Sequence, residues 1–237
     1  MVKFMLDAGH GYFTSGKGVP TMKEHDFNRA VSAHIDTLLK AYKDVETHIA
    51  HDPTGKVDVA LKARTDKANA LKVDGYISLH ADAFGTKEAK GETVYIYTKA
   101  SASTLAFANV VNKHLKAETS IGNRGVKRAD FHVLRETKMI ALLIEFGFMT
   151  NPQDLALLKS DAYRKKCAQM VVNALVEQFK LVKKPVVVVK PVAPKPAVSK
   201  LRKVIVDGKQ VGTFANTDKA VSEAIKSGAK KIEIVLV

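Results

Sequence analysis

Short apolar segments rich in β-branched and aromatic residues alternate with helical patterns along the first 181 residues, and this alternation constrains the fold most strongly. The strand-like segments are Val2–Leu6, Val45–Ala50, Gly75–Leu79, Thr93–Tyr97 and Ile140–Ile144. Between and after them lie the helical patterns Asp26–Tyr42, Val57–Leu71, Ser103–Glu118 and Asp161–Phe179. Strand-helix alternation predicts an α/β domain with a largely parallel twisted sheet covered by helices on both faces.

The pattern breaks after Leu181. Residues 182–199 read VKKPVVVVKPVAPKPAVS, and their prolines remove backbone donors and favour extended geometry, so this stretch is expected to be a semi-rigid spacer. Beyond it, Arg202–Val206, Gln210–Phe214, Thr217–Ser227 and Lys231–Val237 predict a small β-β-α-β unit. Asp207-Gly208 signals a tight turn between its first two strands. Thr217 with Asp218 offers a helix cap, and Gly228 a helix stop. The expected organisation is a catalytic domain at 1–181, a spacer at 182–199 and a small domain at 200–237. A unit of about 38 residues has a marginal core, which favours pairing with a second copy or docking elsewhere.

Charge bears on partners rather than fold. The formal net charge is +14, and residues 182–237 hold 12 Lys+Arg against 4 Asp+Glu, over half of the excess. Such a tail suits attachment to an anionic surface, either nucleic acid or the polymers of a bacterial wall. No aromatic-basic interleaving or groove-reading motif points to specific nucleic-acid binding. Cys167 is the single cysteine, so no intramolecular disulfide forms, and its helical, apolar context reads as packing. No stretch approaches the roughly 20 apolar residues of a membrane span. The N-terminal run is too short for a signal peptide, so the protein is expected to be made in a host or mother-cell cytoplasm and to act on the wall after release.

Three strand patterns end in residues that carry chemistry: His10 in DAGHG, His80 in SLHAD and Glu145 closing ALLIE. Ligands of open α/β sheets bind outside the carboxyl ends of strands, so two imidazoles and a carboxylate converge there if the strands are neighbours. A catalytic zinc site offers three N/O ligands and keeps a position for water. Glu24 is the best third ligand, because glycines at 9, 11, 16 and 18 leave the intervening loop pliable. Glu145 would then be general base and acid. On these residues alone, purely structural roles for the histidines and a solvent-facing Glu145 remain open.

The segments DAGHG (7–11), Glu24 followed by Asn28, LKARTDKAN (61–69), ISLHADA (77–83), GETVYIY (91–97), RGVKRADFHVLRET (124–137) and LLIEFGFMTN (142–151) resemble, in that order, the type 3 N-acetylmuramoyl-L-alanine amidase family. They span about 150 residues of the first domain. Ala8 stands where proline is usual, and Met139–Ile140 where a proline often precedes the last strand. The resemblance implies hydrolysis of the amide between N-acetylmuramic acid and L-alanine in peptidoglycan, with zinc on His10, Glu24 and His80 and catalysis by Glu145. VDGKQVGTFANTDKA (206–220) and GAKKIEIV (228–235) resemble half of a SPOR wall-binding repeat, which again favours a homodimer through the tail. Peptidoglycan and anionic wall polymers are the partners implied, and a lytic phage endolysin is the expected setting. A zinc peptidase acting within the stem peptide and a non-catalytic basic wall-binding protein are the alternatives. His25, His34, His48, His51, His114 and His132 are read as non-ligands, with His132 the one that would line the cleft. Arg64 is read as an anchor for its helix, and Asp82 as a candidate support for His80.

Overall fold

All five apolar segments lie in one sheet. The computed structural model describes every residue except 12, 15–18, 119, 186–201, 215–217 and 237. The described residues divide into two compact units, Met1–Lys184 and Pro185–Val237.

In chain order the first unit contains β1 (Val2–Ala8), α1 (Glu24–Leu39), β2 (Val45–Ile49), α2 (Leu61–Leu71), β3 (Gly75–Asp82), β4 (Glu92–Tyr97), α3 (Ala102–Glu118), β5 (Asn123–Ala129), α4 (His132–Arg135), β6 (Ile140–Phe148), α5 (Pro152–Leu158) and α6 (Asp161–Phe179). The sheet order is β2-β1-β3-β6-β4-β5. All neighbours run parallel except β4 and β6, which pair antiparallel through Thr93–Glu145, Val94–Ile144 and Tyr95–Leu143.

Period-two alternation sends successive side chains to opposite faces of the strands. One face carries Phe4, Leu6, Ile77, Leu79, Val94, Ile96, Leu142 and Ile144, packed with Phe27, Ile35, Phe107 and Val171 of α1, α3 and α6. Cys167 sits in this layer, fully buried, and burial pushes its thiol well above the ordinary range. It packs, as its apolar context predicts. The opposite face carries Met5, Tyr76, Ala141 and Leu143 beneath Ala68, Val133 and Leu134 of α2 and the short α4. Cover on this second face is thinner. The alternation that buries Leu79 and Ile144 under the large helices sends His80 and Glu145 to that thinner side.

Several local readings are corrected. Glu145 does not end its strand: β6 runs on through Phe148. His80 likewise lies inside β3, which continues to Asp82 across a bulge in its pairing with β6. The helix expected from Val57 begins at Leu61. Strand β5 and helices α4 and α5 were not anticipated. Residues 182–184, expected to open the spacer, are tied to the first unit: Lys43 N–H donates to the Val182 carbonyl and Lys184 N–H to the Ala41 carbonyl, both at 2.8 Å. Its 186–199 portion lies outside the described residues.

The second unit contains β7 (Arg202–Val206), β8 (Lys209–Phe214), α7 (Asp218–Lys226) and β9 (Ile232–Leu236), with β7 central in an antiparallel sheet. Asp207 and Gly208 both take positive φ in the turn between β7 and β8, the geometry a tight hairpin turn requires. Gly228, at φ 80°, stops α7. Among the described residues of this unit only Val204 and Ala224 are buried apolar groups, whereas Val211, Ile225, Ile234 and Val235 are exposed.

Candidate active site

Residues Gly9 and His10 leave β1 in a turn fixed by sterics. Gly9 N–H donates to the Leu79 carbonyl at 3.1 Å, locking the turn to β3. A Cβ at position 9 would lie 2.0 Å from His80 Cε1, so only glycine admits the His80 ring there. His10 itself adopts φ 65°, a conformation uncommon for a non-glycine residue and concentrated at functional sites.

Three side chains converge beyond this turn. Glu24, the first residue of α1, is buried with one carboxylate oxygen on each imidazole. His10 Nε2 lies 3.2 Å from Oε2, and His80 Nδ1 lies 2.8 Å from Oε1. The two rings stand nearly perpendicular with centroids 5.2 Å apart. Ala81 N–H and the Asn28 amide also donate to Oε1, at 3.2 and 3.3 Å, and Asn28 reaches the Gly9 carbonyl as well. Asn28 stands one helical turn after Glu24, on the same face. Burial alone would raise the Glu24 carboxyl. The hydrogen bonds and charges of His10 and His80 outweigh it and hold the group far below the ordinary carboxylate range. Burial lowers His10, yet Glu24 carries it above the ordinary histidine value.

The groups behind the His80 ring place a proton on Nε2. Asp7 is fully buried; burial would raise its carboxyl, but Arg64 and Tyr76 more than compensate and keep it ionised. An ionised carboxylate only accepts, so the Ser78 hydroxyl donates its single proton to Asp7 Oδ2 at 3.0 Å. His80 Nε2, 3.1 Å from that hydroxyl oxygen, must then be the donor. In the neutral ring the lone pair therefore sits on Nδ1, aimed at Glu24. The 2.8 Å contact between Nδ1 and Glu24 is then closed either by a second ring proton or by a metal ion held between the two.

The donor set fits zinc by its composition and convergence. His10, Glu24 and His80 each offer a ligand atom within 4.8 Å of the others, two nitrogens and one carboxylate oxygen. That matches the three-ligand composition of catalytic zinc sites, with Asn28 and Ala81 N–H supporting Glu24 and Ser78 supporting His80 from behind. They form the one such cluster among the described residues.

Arg64 anchors the surrounding loop, not merely its own helix. Its guanidinium is buried and donates to Asp7 Oδ1, the carbonyls of Ala8, His10 and Val59, and Asp58 Oδ1, at 2.5–3.3 Å. Glu145 shares the site from β6, in direct register with His80 on one side and Thr93 on the other. Neighbouring strands lie ~4.8 Å apart, so Glu145 stands one strand from the ligand cluster on the same face. All four residues line a cavity of about 590 Å³, which Val59, Leu61, Phe131, His132, Val133 and Leu143 also wall.

The remaining histidines fall elsewhere. His25 is buried beside Gly55, where an added Cβ would meet its Nε2 at 2.3 Å. His51 Nδ1 accepts the Ala8 N–H at 3.0 Å. His132 lines the cavity, with Nε2 3.5 Å from the Thr65 hydroxyl. Asp82 also lines it, and its carboxylate accepts the Ala83 N–H at 2.7 Å; the partners seen on the His80 ring are Glu24 and Ser78. Sequence reasoning missed the supporting roles of Asp7, Ser78 and Tyr76, although all three lie in segments it had singled out or read as strand.

Comparison with known proteins agrees with this architecture. A family model described as N-acetylmuramoyl-L-alanine amidase matches residues 4–177. The amidase CwlM of Bacillus licheniformis is 33% identical over 184 residues, 77% of this chain and 71% of the relative. The endolysin of Bacillus phage SPP1 is 34% identical over 185 residues, 76% of this chain and 66% of the relative. Among solved structures, the catalytic domain of the amidase CwlV from Bacillus (Paenibacillus) polymyxa superposes with TM-score 0.72 at 29% identity, covering 77% of this chain and all of that domain.

Proposed function

The chain belongs to the family of N-acetylmuramoyl-L-alanine amidases, which act on peptidoglycan, and we propose that it works as a zinc hydrolase with Glu145 as its proton carrier. The observation behind this reading is the convergence of His10, Glu24 and His80 in the cavity that Glu145 also lines. Zinc bound there would supply Lewis acidity toward the substrate carbonyl and toward water. Glu24 holds both imidazoles, and the Asp7–Ser78 pair keeps Nδ1 of His80 free to ligate. Glu145 takes a proton from the attacking water and returns it to the alanine nitrogen as the C–N bond breaks. The products are the muramic carboxylate and a peptide with a free L-alanine amine.

The test is clearing of purified Gram-positive walls by wild type and Glu145→Ala, with zinc content measured on both. Clearing that exposes new alanine N-termini, falling about 10²–10⁴-fold in the variant while zinc stays bound, is expected. N-termini other than alanine would mean a zinc peptidase cutting within the stem peptide. Equal clearing by both proteins would remove Glu145 from the mechanism.

The similarity to the phage endolysin supports a lytic role at the end of an infection. Expression in a Gram-positive host should then lyse cells only once the membrane is permeabilised, and lysis without permeabilisation refutes this setting. For the second unit, the excess of cations and the scarcity of buried apolar groups among its described residues support wall attachment and pairing with a second copy. Sedimentation of the full chain should give a dimer that loss of residues 185–237 converts to a monomer. A full chain that stays monomeric rejects the pairing.

A further inference from the structure

The cavity has a polar floor and an apolar lip. Its floor is the ligand cluster with Glu145, and its lip includes Leu61 and Phe131, which remain 53% and 40% exposed. Hydrolysis of an amide needs no aromatic ring, so an exposed phenyl beside the reacting groups is unexplained by the chemistry alone.

The Phe131 ring is not loosely placed. Tyr95 meets it at 5.3 Å between centroids and 67° between planes. Tyr95 is paired with Leu143, two residues before Glu145, so the ring is referenced to the same strand as the proposed proton carrier. The backbone is fixed as well: the Phe131 carbonyl accepts the N–H groups of Leu134 and Arg135, both at 3.0 Å. Asn69 then ties the segment to α2, donating to the Glu136 carbonyl at 2.8 Å and accepting the Lys138 N–H at 2.9 Å. The outcome is a rigid aromatic surface at the mouth of a reactive cavity.

The chemistry of the substrate selects what covers it. On the amine side of the scissile bond the first residue is L-alanine, which presents one methyl group. On the acyl side a lactyl group leads to a pyranose ring. Only the sugar offers a flat array of C–H bonds as wide as a phenyl ring, polarised by its oxygens toward the negative aromatic face. Val133 and Leu143, deeper in the wall, suit the two methyl groups.

We propose that the Phe131 ring, held by Tyr95, is the platform on which the muramic acid sugar stacks, so that the enzyme selects for the glycan side of its substrate. This rests on the amidase reading of the same site. The decisive comparison uses a disaccharide–peptide muropeptide and the lactoyl peptide obtained from it by alkaline β-elimination, which keeps the scissile amide and lacks the sugar. Initial rates are followed by release of the alanine amine for wild type, Phe131→Leu and Phe131→Trp. The kcat/KM ratio of sugar-bearing to sugar-free substrate should fall about tenfold in Phe131→Leu, mainly through KM, and recover in Phe131→Trp. An equal loss on both substrates, or an unchanged ratio, overturns the proposal. Clearing of intact walls by wild type is measured alongside; failure there overturns the amidase reading, and this one with it.

Discussion

Replacing Arg64 by leucine isolates a fully buried electrostatic commitment of the fold. The guanidinium is 1% exposed and satisfies five oxygens, one of them on the fully buried Asp7. After the substitution, Asp7 keeps only the Tyr76 hydroxyl at 2.8 Å and the Ser78 hydroxyl at 3.0 Å as side-chain donors. Removing one partner of a buried ion pair costs about 3–5 kcal/mol, chiefly because the other charge is stranded. For a unit of this size that lowers Tm by about 10 °C. The size of the stranded-charge effect can be read directly from Asp7→Asn/Arg64→Leu, where Tyr76 and Ser78 still donate to the amide oxygen. This double variant should regain about 2 kcal/mol of the loss. Urea unfolding of metal-free protein at pH 7, with equal m-values, measures both. Burial raises the Asp7 carboxyl, but its partners depress it below the ordinary 3.8, so its contribution is complete above that value and fades as pH falls through the lower folded value. The deficit of Arg64→Leu should therefore narrow in acid. A loss below about 1 kcal/mol, or a double variant no better than the single, refutes the reasoning.

Two further outcomes follow from other contacts. Gly9→Ala puts a methyl 2.0–2.6 Å from three atoms of the His80 ring, so chelator competition should show zinc affinity weakened at least ~10-fold, with ~1–3 kcal/mol lost from the metal-free fold; unchanged affinity would place the ring elsewhere. Burial lowers the His51 imidazole to about 4, with Arg64 and His25 adding to the effect against Asp7. Its neutral form is the folded one, so the protein should lose stability as pH falls from 6.5 toward 4 at up to ~1.4 kcal/mol per unit, and His51→Gln should flatten that slope in urea titrations.

The site was more legible than its support. His10, Glu24 and His80 stand out because glycines and polar residues interrupt apolar strands, and the structure brings the three together. Asp7, Tyr76 and Ser78 gave no such signal. Their partners lie 57–71 residues away, and pairing across a sheet leaves no local pattern. Strand β5, NRGVKRA, was missed because an edge strand with exposed arginines lacks apolar alternation. Helix α5 did announce itself: Asn151 accepts from Gln153 and Asp154 N–H, and Pro152 occupies the first turn, a start signal passed over for want of apolar period. Reading Glu145 as a strand end failed because Phe146 and Phe148 extend the buried strand beyond it.

Register has a consequence for how such an enzyme can diversify. His80 and Glu145 stand side by side across one rung of a parallel ladder, so the gap between the proposed metal ligand and the proposed proton carrier is set by the hydrogen-bond spacing of the sheet. Loop variation cannot stretch or shrink it. The segments 57–61 and 130–133, which line the cavity, lie outside that lattice. Grafting them between relatives should exchange substrate preference while the reaction itself stays the same.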